Sequence, residues 1–320
     1  MGALLEIENL TAGYPSKAYG KNVILHNIDL TVRAGEFWGI AGESGCGKST
    51  LVNSVMKLNE RLAVYEGSAR FAGHGNLLER SPKEMEAIRW RDIAMVFQAS
   101  MNVFSPVHTI YSQFMDIFRA HTDYSKSAAE DRMTELFQFV EIHPERLFAY
   151  PHQLSGGMKQ RIVIAMSLAL DPSLLIMDEP TTALDVVVQR SILEKIEDIR
   201  REKHFAIIFI THDLSLLTEI SDFIVVMYAG IIMEIAPARD IYREPLHPYT
   251  MGMIDSFPPL VGELRRMEGI PGEPPKPGER HIGCPFVNRC DSARKRCVER
   301  VPELRDIGGG RKIACHFKAT

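Results

Sequence analysis

The sequence predicts an α/β fold with a parallel sheet at its core, extended by a small C-terminal module. Three observations carry this expectation. Short apolar strands such as "FWGIA", "LLIM" and "FAIIFI" recur between helical stretches along the 320 residues, as in a sheet covered on both faces. Each runs into a polar turn, "GESGCGKST", "DEP" or "THD", and the carboxyl ends of parallel strands are where such sheets meet ligands. A proline-rich stretch with Pro271, Pro274, Pro275 and Pro277 then precedes a tail holding four of the five cysteines.

Charge and hydropathy narrow the setting. A formal net charge of -4 and a pI near 6.3 give no global reason to expect a nucleic-acid partner. The N-terminal "MGALLEIENL" lacks the basic and apolar runs of a signal peptide, and the longest apolar run, "FIVVMYAGIIMEIA", is broken by Gly230 and ends at Glu234. A soluble, cytosolic chain is expected, whose cysteines are thiols or metal ligands rather than disulfides.

The first polar turn, Gly42 to Thr50, fits G-x-x-x-x-G-K-[ST], with Gly42, Gly47, Lys48 and Ser49 at the fixed places. It stands between the strand "GEFWGIA" and the helical "STLVNSVMKL". In such a loop backbone N–H groups, here including those of Ser44, Gly45, Cys46 and Thr50, turn inward at a helix N-terminus and hold phosphate oxygens. Lys48 is expected to reach the β- and γ-phosphates of ATP and the Ser49 hydroxyl to ligate Mg²⁺. The Cys46 thiol, at a variable position, is incidental.

The second turn closes "SLLIMDEP" with Asp178 and Glu179. A strand-end acidic pair is ordinarily a solvated turn, but beside a phosphate loop Asp178 is expected to hold Mg²⁺ through water and Glu179 to orient and deprotonate the attacking water. His212, at the end of "FAIIFITHD", is expected at the γ-phosphate. In "QLSGGMKQRIVIAMSLAL" two glycines open a helix, although each costs a helix interior roughly 1 kcal/mol. Ser155 is the expected N-cap, while Gly156 and Gly157 clear space over the first turn, which makes a second anion-binding device. Since the phosphate loop already covers one face of a nucleotide, this device is expected to serve the γ-phosphate of another molecule's ATP.

The phosphate loop, Gln98 after "IAMVFQ", "LSGGMKQR", "LLIMDEP", "TTALD" and "THD" together resemble, in order and approximate spacing, the ATP-binding-cassette (ABC) ATPases over residues 4–255. The resemblance implies a P-loop NTPase fold of the ABC type, with a RecA-like parallel-sheet core, an antiparallel β subdomain and a helical subdomain at about 99–165. It implies a head-to-tail dimer in which Ser155, Gly156, Gly157 and the interface residue Asp185 act in trans. It casts Tyr14 as the aromatic on the adenine, with Tyr19 the lesser candidate, and Gln98 as the residue coupling Mg²⁺ to the helical subdomain. The Phe- and Met-rich "ASMNVFSPVHTIYSQFMDIF" is then mostly core, with some side chains exposed to receive a coupling helix from a membrane subunit.

Further on, "IYREPLHPYTMGMIDSFP", "EGIPGEPPKPGE" and "CPFVNRCDSARKRCVERVPEL" resemble the ATPase subunits of oligopeptide and dipeptide permeases. This implies an importer with two transmembrane permease subunits, a second and usually different ATPase chain, and an extracytoplasmic binding protein. The chain would lie peripherally on the cytoplasmic face of the inner membrane. Oligosaccharide and nickel importers share this ATPase type, and a soluble cassette ATPase is the further alternative. The expected division is a nucleotide-binding domain at 1–255, a Pro-rich linker at 256–280 and a four-cysteine module at 281–320. Cys284, Cys290, Cys297 and Cys315 are spaced C-x5-C-x6-C-x17-C, wider than common zinc knuckles. A [4Fe–4S] cluster suits both the ligand count and the resemblance; zinc and unligated thiols stay open, with His281 and His316 as alternative ligands.

Overall fold

Five residues, Phe37–Ala41, form a strand buried at every position, and Leu174–Asp178 and Ala206–Ile210 repeat the pattern. Such runs have no polar side to turn to water, so they form only inside a sheet covered on both faces. The computed structural model describes residues 2–16, 20–98, 103–180, 186–256, 269–279 and 281–317. Tyr19 and Asp185 lie outside the described residues. The chain divides into two units, Arg80–Phe209 and Gly2–Glu79 with Ile210–Thr320.

In the second of these units Phe37–Ala41 pairs in parallel with Phe223–Tyr228. The sheet continues antiparallel through Ile231–Pro237 to a hairpin made of Arg311–Ile313 and Arg305–Gly308. Trp38 stacks on Phe223 at 4.8 Å between ring centroids, and the Phe37 amide donates to the Asp222 carboxylate at 2.8 Å, which fixes the register at the strand entrance. A second, antiparallel sheet runs in the order Gly20–Arg33, Ala3–Ser16, Ala63–Phe71, Gly75–Asn76. Its two long strands alternate buried and exposed residues over much of their length, as one-sided sheets do.

In the other unit Ile93–Val96 pairs in parallel with Leu174–Asp178, and Ala206–Ile210 lies on the far side of the latter. The helices Ile110–His121, Lys126–Phe139 and Gly156–Ser167 belong to it. Of the Phe- and Met-rich segment, Phe104, Phe114, Met115 and Phe118 are core, while Val103, Val107 and, further on, Phe148 are exposed. Arg132 fastens these helices by donating to the carbonyls of Leu168 and Ala169 and to the Asp171 carboxylate.

The phosphate loop takes its position from a glycine it does not contain. Gly230 donates its amide to the Cys46 carbonyl at 2.9 Å and accepts from the His26 amide at 2.9 Å, so the loop is tied to both sheets of its unit. It adopts φ +80°, and a Cβ there would fall 1.8 Å from the Ile24 carbonyl oxygen. Gly230→Ala should therefore cost at least about 1–3 kcal/mol, the usual toll of a left-handed non-glycine residue, before the clash is counted. Denaturant unfolding of the variant checks this, and an unchanged midpoint would contradict the packing.

Candidate functional site

The strand Phe37–Ala41 delivers the chain to Gly42, and the helix Lys48–Met56 leaves the loop behind Gly47. Gly42 is required by space and Gly47 by its backbone conformation. A Cβ on Gly42 would meet the Met227 carbonyl oxygen at 2.2 Å, and Gly47, the helix N-cap at φ +106°, would press one against Leu25 at 2.8 Å. The first amides of the helix have no partner within it, and they and the helix dipole face the loop. Lys48 is buried, and its ammonium donates to the carbonyls of Gly42 at 2.6 Å and Glu43 at 3.2 Å. The cation is thus held across the loop that is to take a polyanion. Ser49 and Thr50 are half-buried in the first helical turn, and Ser44 and Gly45 are exposed. Cys46 is buried, which pushes its thiol above the ordinary range; that makes it a poor nucleophile and suits an incidental side chain.

The acidic pair sits where the strand Leu174–Asp178 ends. Asp178 is buried, and Glu179 takes the left-handed conformation at φ +47°, uncommon for a residue that carries a side chain. Gln98 Nε2 donates to Glu179 Oε2 at 2.7 Å. Two residues that the sequence placed in separate motifs, 81 positions apart, are therefore in contact.

The remaining candidates have simpler surroundings. Ser155 caps the helix Gly156–Ser167, its hydroxyl accepting from the Met158 amide at 3.2 Å, and Gly156 and Gly157 are its first two residues, half-buried. His212 is exposed, just beyond the strand Ala206–Ile210. Tyr14 is half-buried in the long N-terminal strand, opposite Asn22.

The structure gathers Cys284, Cys290, Cys297 and Cys315 around one cavity of about 120 Å³, with His247 and His316 on its wall. Among the described residues no group of three or more His, Cys, Asp or Glu side chains is arranged to hold a metal ion. Burial, helped by the other three cysteines, pushes the Cys284 thiol up to about 12. His316 Nε2 donates to the Arg300 carbonyl oxygen at 2.8 Å. His281 is not at this cavity: it lines two others, where it stands with His26.

Sequence reasoning missed Arg289 and Glu43. The Arg289 side chain is 5 % exposed, and its guanidinium forks onto the Glu43 carboxylate at 2.7 and 3.0 Å. Glu43 is the second residue of the phosphate loop, in one of its variable places, and Arg289 is one of several arginines in a basic stretch. Neither carries a local signal.

Residues 25–182 match the ABC transporter family, and residues 233–297 match the oligopeptide/dipeptide transporter C-terminal region. The chain is 39% identical over 316 residues to the dipeptide transport ATP-binding protein DppD of Haemophilus influenzae, covering 98% of this chain and 95% of that protein. It is 39% identical over 315 residues to the oligopeptide transport ATP-binding protein OppD of Salmonella typhimurium, covering 98% and 93%. Among solved structures, the dimeric, post-hydrolysis ATP-binding cassette MJ0796 bound to ADP and Pi superposes with a TM-score of 0.66 at 26% identity, over 73% of this chain and 99% of that one.

The thiols differ in burial: Cys46, Cys284 and Cys297 are buried, whereas Cys290 and Cys315 are partly accessible. In metal-free protein, iodoacetamide should therefore modify Cys290 and Cys315 before Cys46 and Cys284. Peptide mass spectrometry over a time course reads the order, and early labelling of Cys46 would contradict the loop packing.

Proposed function

We propose, from the premise that this chain belongs to the ABC transporter family as an ATPase of its oligopeptide/dipeptide type, that it powers the uptake of peptides. The observation that carries this reading is the similarity to dipeptide and oligopeptide transport ATP-binding proteins along 98% of the chain, the C-terminal region included. Its partners in this reading are two membrane permease subunits, a second ATPase chain and, through them, an extracytoplasmic binding protein. No helix among the described residues is long and apolar enough to cross a membrane, and a peripheral place on the cytoplasmic face of the membrane follows from the partners. Exposed Val107 and Phe148 offer apolar surface to a permease.

In this reading the loop Gly42–Thr50 wraps the phosphates of ATP, with Lys48 neutralising the β- and γ-phosphates and Tyr14 against the adenine. Ser49, Gln98 and Asp178 would hold Mg²⁺, which supplies charge neutralisation at the phosphates. Glu179, gripped by Gln98, orients the attacking water and accepts its proton, and His212 contacts the γ-phosphate. The dipole and amides at Ser155, Gly156 and Gly157, with Asp185, serve the ATP of the second ATPase chain. Hydrolysis is then mostly positioning and electrostatics, as phosphoryl transfer demands. In the transporter assembled with its permease subunits, Glu179→Gln should keep ATP binding and lower turnover by about 10²- to 10⁴-fold, the worth of a positioned base. Peptide uptake by cells carrying the variant should fall with it; near-normal turnover would overturn the role of Glu179, and uptake of peptides unaffected by it would overturn the substrate.

In the same reading the four cysteines would hold a polynuclear centre. What supports the reading is that the four thiols line one cavity and match the ligand number of a [4Fe–4S] cluster. Cys284, Cys290, Cys297 and Cys315 would hold it, their thiols giving up their protons to bind iron. The reading makes the centre a staple for a segment with little core of its own. Protein purified without oxygen should absorb broadly at about 400 nm and carry about four irons per chain, and Cys290→Ser should bleach it. One zinc and no iron in that preparation would overturn the cluster.

A further inference from the structure

The C-terminal segment reaches the phosphate loop at three points. Arg289 grips the Glu43 carboxylate with both terminal nitrogens. The Tyr249 hydroxyl accepts from the Glu43 amide at 3.0 Å. Pro277 lies against Gly45, whose Cβ, were there one, would meet it at 3.2 Å. The guanidinium is itself held in place, because its Nε donates to the Pro271 carbonyl at 2.9 Å, and its terminal nitrogens to the Ile270 carbonyl and the Tyr228 hydroxyl, both at 3.1 Å. Five donors in a fixed fork are thus fully employed, a geometry that lysine cannot reproduce.

This arrangement answers a problem of charge. A carboxylate at the second place of a loop that binds phosphates would repel the polyanion at close range, and inside a partly buried site that repulsion is weakly screened. Burying Arg289 is costly too, unless it is paired and hydrogen-bonded on every side. Each group removes the other's liability. The pair also couples two stretches 246 residues apart, since the loop's second residue keeps its position only while residues 270, 271 and 289 keep theirs.

We propose that Arg289 is a positioning residue for nucleotide binding: by neutralising and anchoring Glu43 it sets the phosphate loop to accept the phosphates, and it links the folding of the C-terminal segment to nucleotide occupancy. The proposal rests on the reading of residues 42–50 as the phosphate loop. Linkage is reciprocal, so nucleotide must tighten the C-terminal segment by the same factor with which the segment tightens nucleotide.

The test is a double-mutant cycle on the full chain, read by calorimetric titration with MgADP and by hydrogen exchange of residues 281–290. Arg289→Ala should weaken MgADP roughly 5- to 150-fold, the usual span of a coupling between sites. Arg289→Lys, which keeps the charge and loses the fork, should fall between the two. Adding Glu43→Gln to Arg289→Ala should restore part of the loss, because the unpaired carboxylate is gone. In the wild-type chain MgADP should slow exchange across 281–290, and Glu43→Gln, which lies outside the cysteine segment, should abolish that slowing. Should Arg289→Ala not fold, Arg289→Lys and Glu43→Gln complete the cycle. Unchanged MgADP affinity in the Arg289 variants, or a loss that Glu43→Gln does not relieve, would overturn the proposal. Lys48→Ala, expected to lose MgADP altogether, reports on the phosphate loop itself, so a failure of that reading is seen apart from a failure of the coupling.

Discussion

A loop that must offer its amide hydrogens to an anion cannot spend the same hydrogens on holding itself together. The phosphate loop of this protein is accordingly fastened through its other groups. Its Cys46 carbonyl takes the Gly230 amide, its Gly42 and Glu43 carbonyls take the Lys48 ammonium, and its one acidic side chain takes Arg289. These bonds engage oxygens; of the loop's amides, that of Glu43 is spent on the Tyr249 hydroxyl and that of Cys46 on the Glu43 carbonyl, which leaves the N–H groups at the helix entrance for the phosphate work that such a terminus performs. The strand order of the unit follows from the same need, because Phe223–Tyr228 must lie beside Phe37–Ala41 for the turn after it to bring Gly230 beneath the loop.

Much of this was legible in the sequence where the signal is local. The five-residue buried strands, the glycine loop between strand and helix, and Ser155 as N-cap depend on residues a few places apart, and the structure has them where the pattern put them. The cysteines were legible as a group, since four of them in one short tail have few other places to go. What could not be read is what depends on distant partners. Nothing in "NRCDSARKRCVER" tells Arg289 from its neighbours, because its selection depends on a carboxylate far upstream and on two carbonyls of the proline-rich stretch. His281 misled for the converse reason: three places from Cys284 in sequence, it turns toward His26 and a different cavity. Gln98 and Glu179 were each named, but only the fold shows their hydrogen bond.

The proline-rich stretch shows how a segment without regular secondary structure can be informative. Prolines stiffen the chain and carry no amide hydrogen, so residues 271–277 can lie along the phosphate loop without competing for its carbonyls. Their own carbonyls stay free to accept, and Pro271 spends its on Arg289. Two buried polar groups in this part of the molecule are handled in this way. Glu234, raised by burial above the usual carboxylate range, accepts the amides of Leu246 and His247 at 2.9 Å each. His247, lowered by burial to about 3, caps the next helix through a neutral ring nitrogen that accepts from the Tyr249 amide.

The hairpin Arg305–Gly308 and Arg311–Ile313 pairs with the middle of Ile231–Pro237, Ile313 and Lys312 opposite Glu234 and Ile235, in a strand whose five central residues are buried. Uncovered, that strand would present a row of unsatisfied backbone groups on an apolar ribbon, a template for another chain to add to. The hairpin that covers it is short, its outer strand is exposed at all four positions, it carries Arg305 and Asp306, and it turns through three consecutive glycines with positive φ. Such an edge is a poor template. The C-terminal segment therefore also acts as a selvedge that finishes the fabric of the sheet, and a chain cut before residue 305 would expose a sticky border prone to self-association, independently of its effect on the nucleotide.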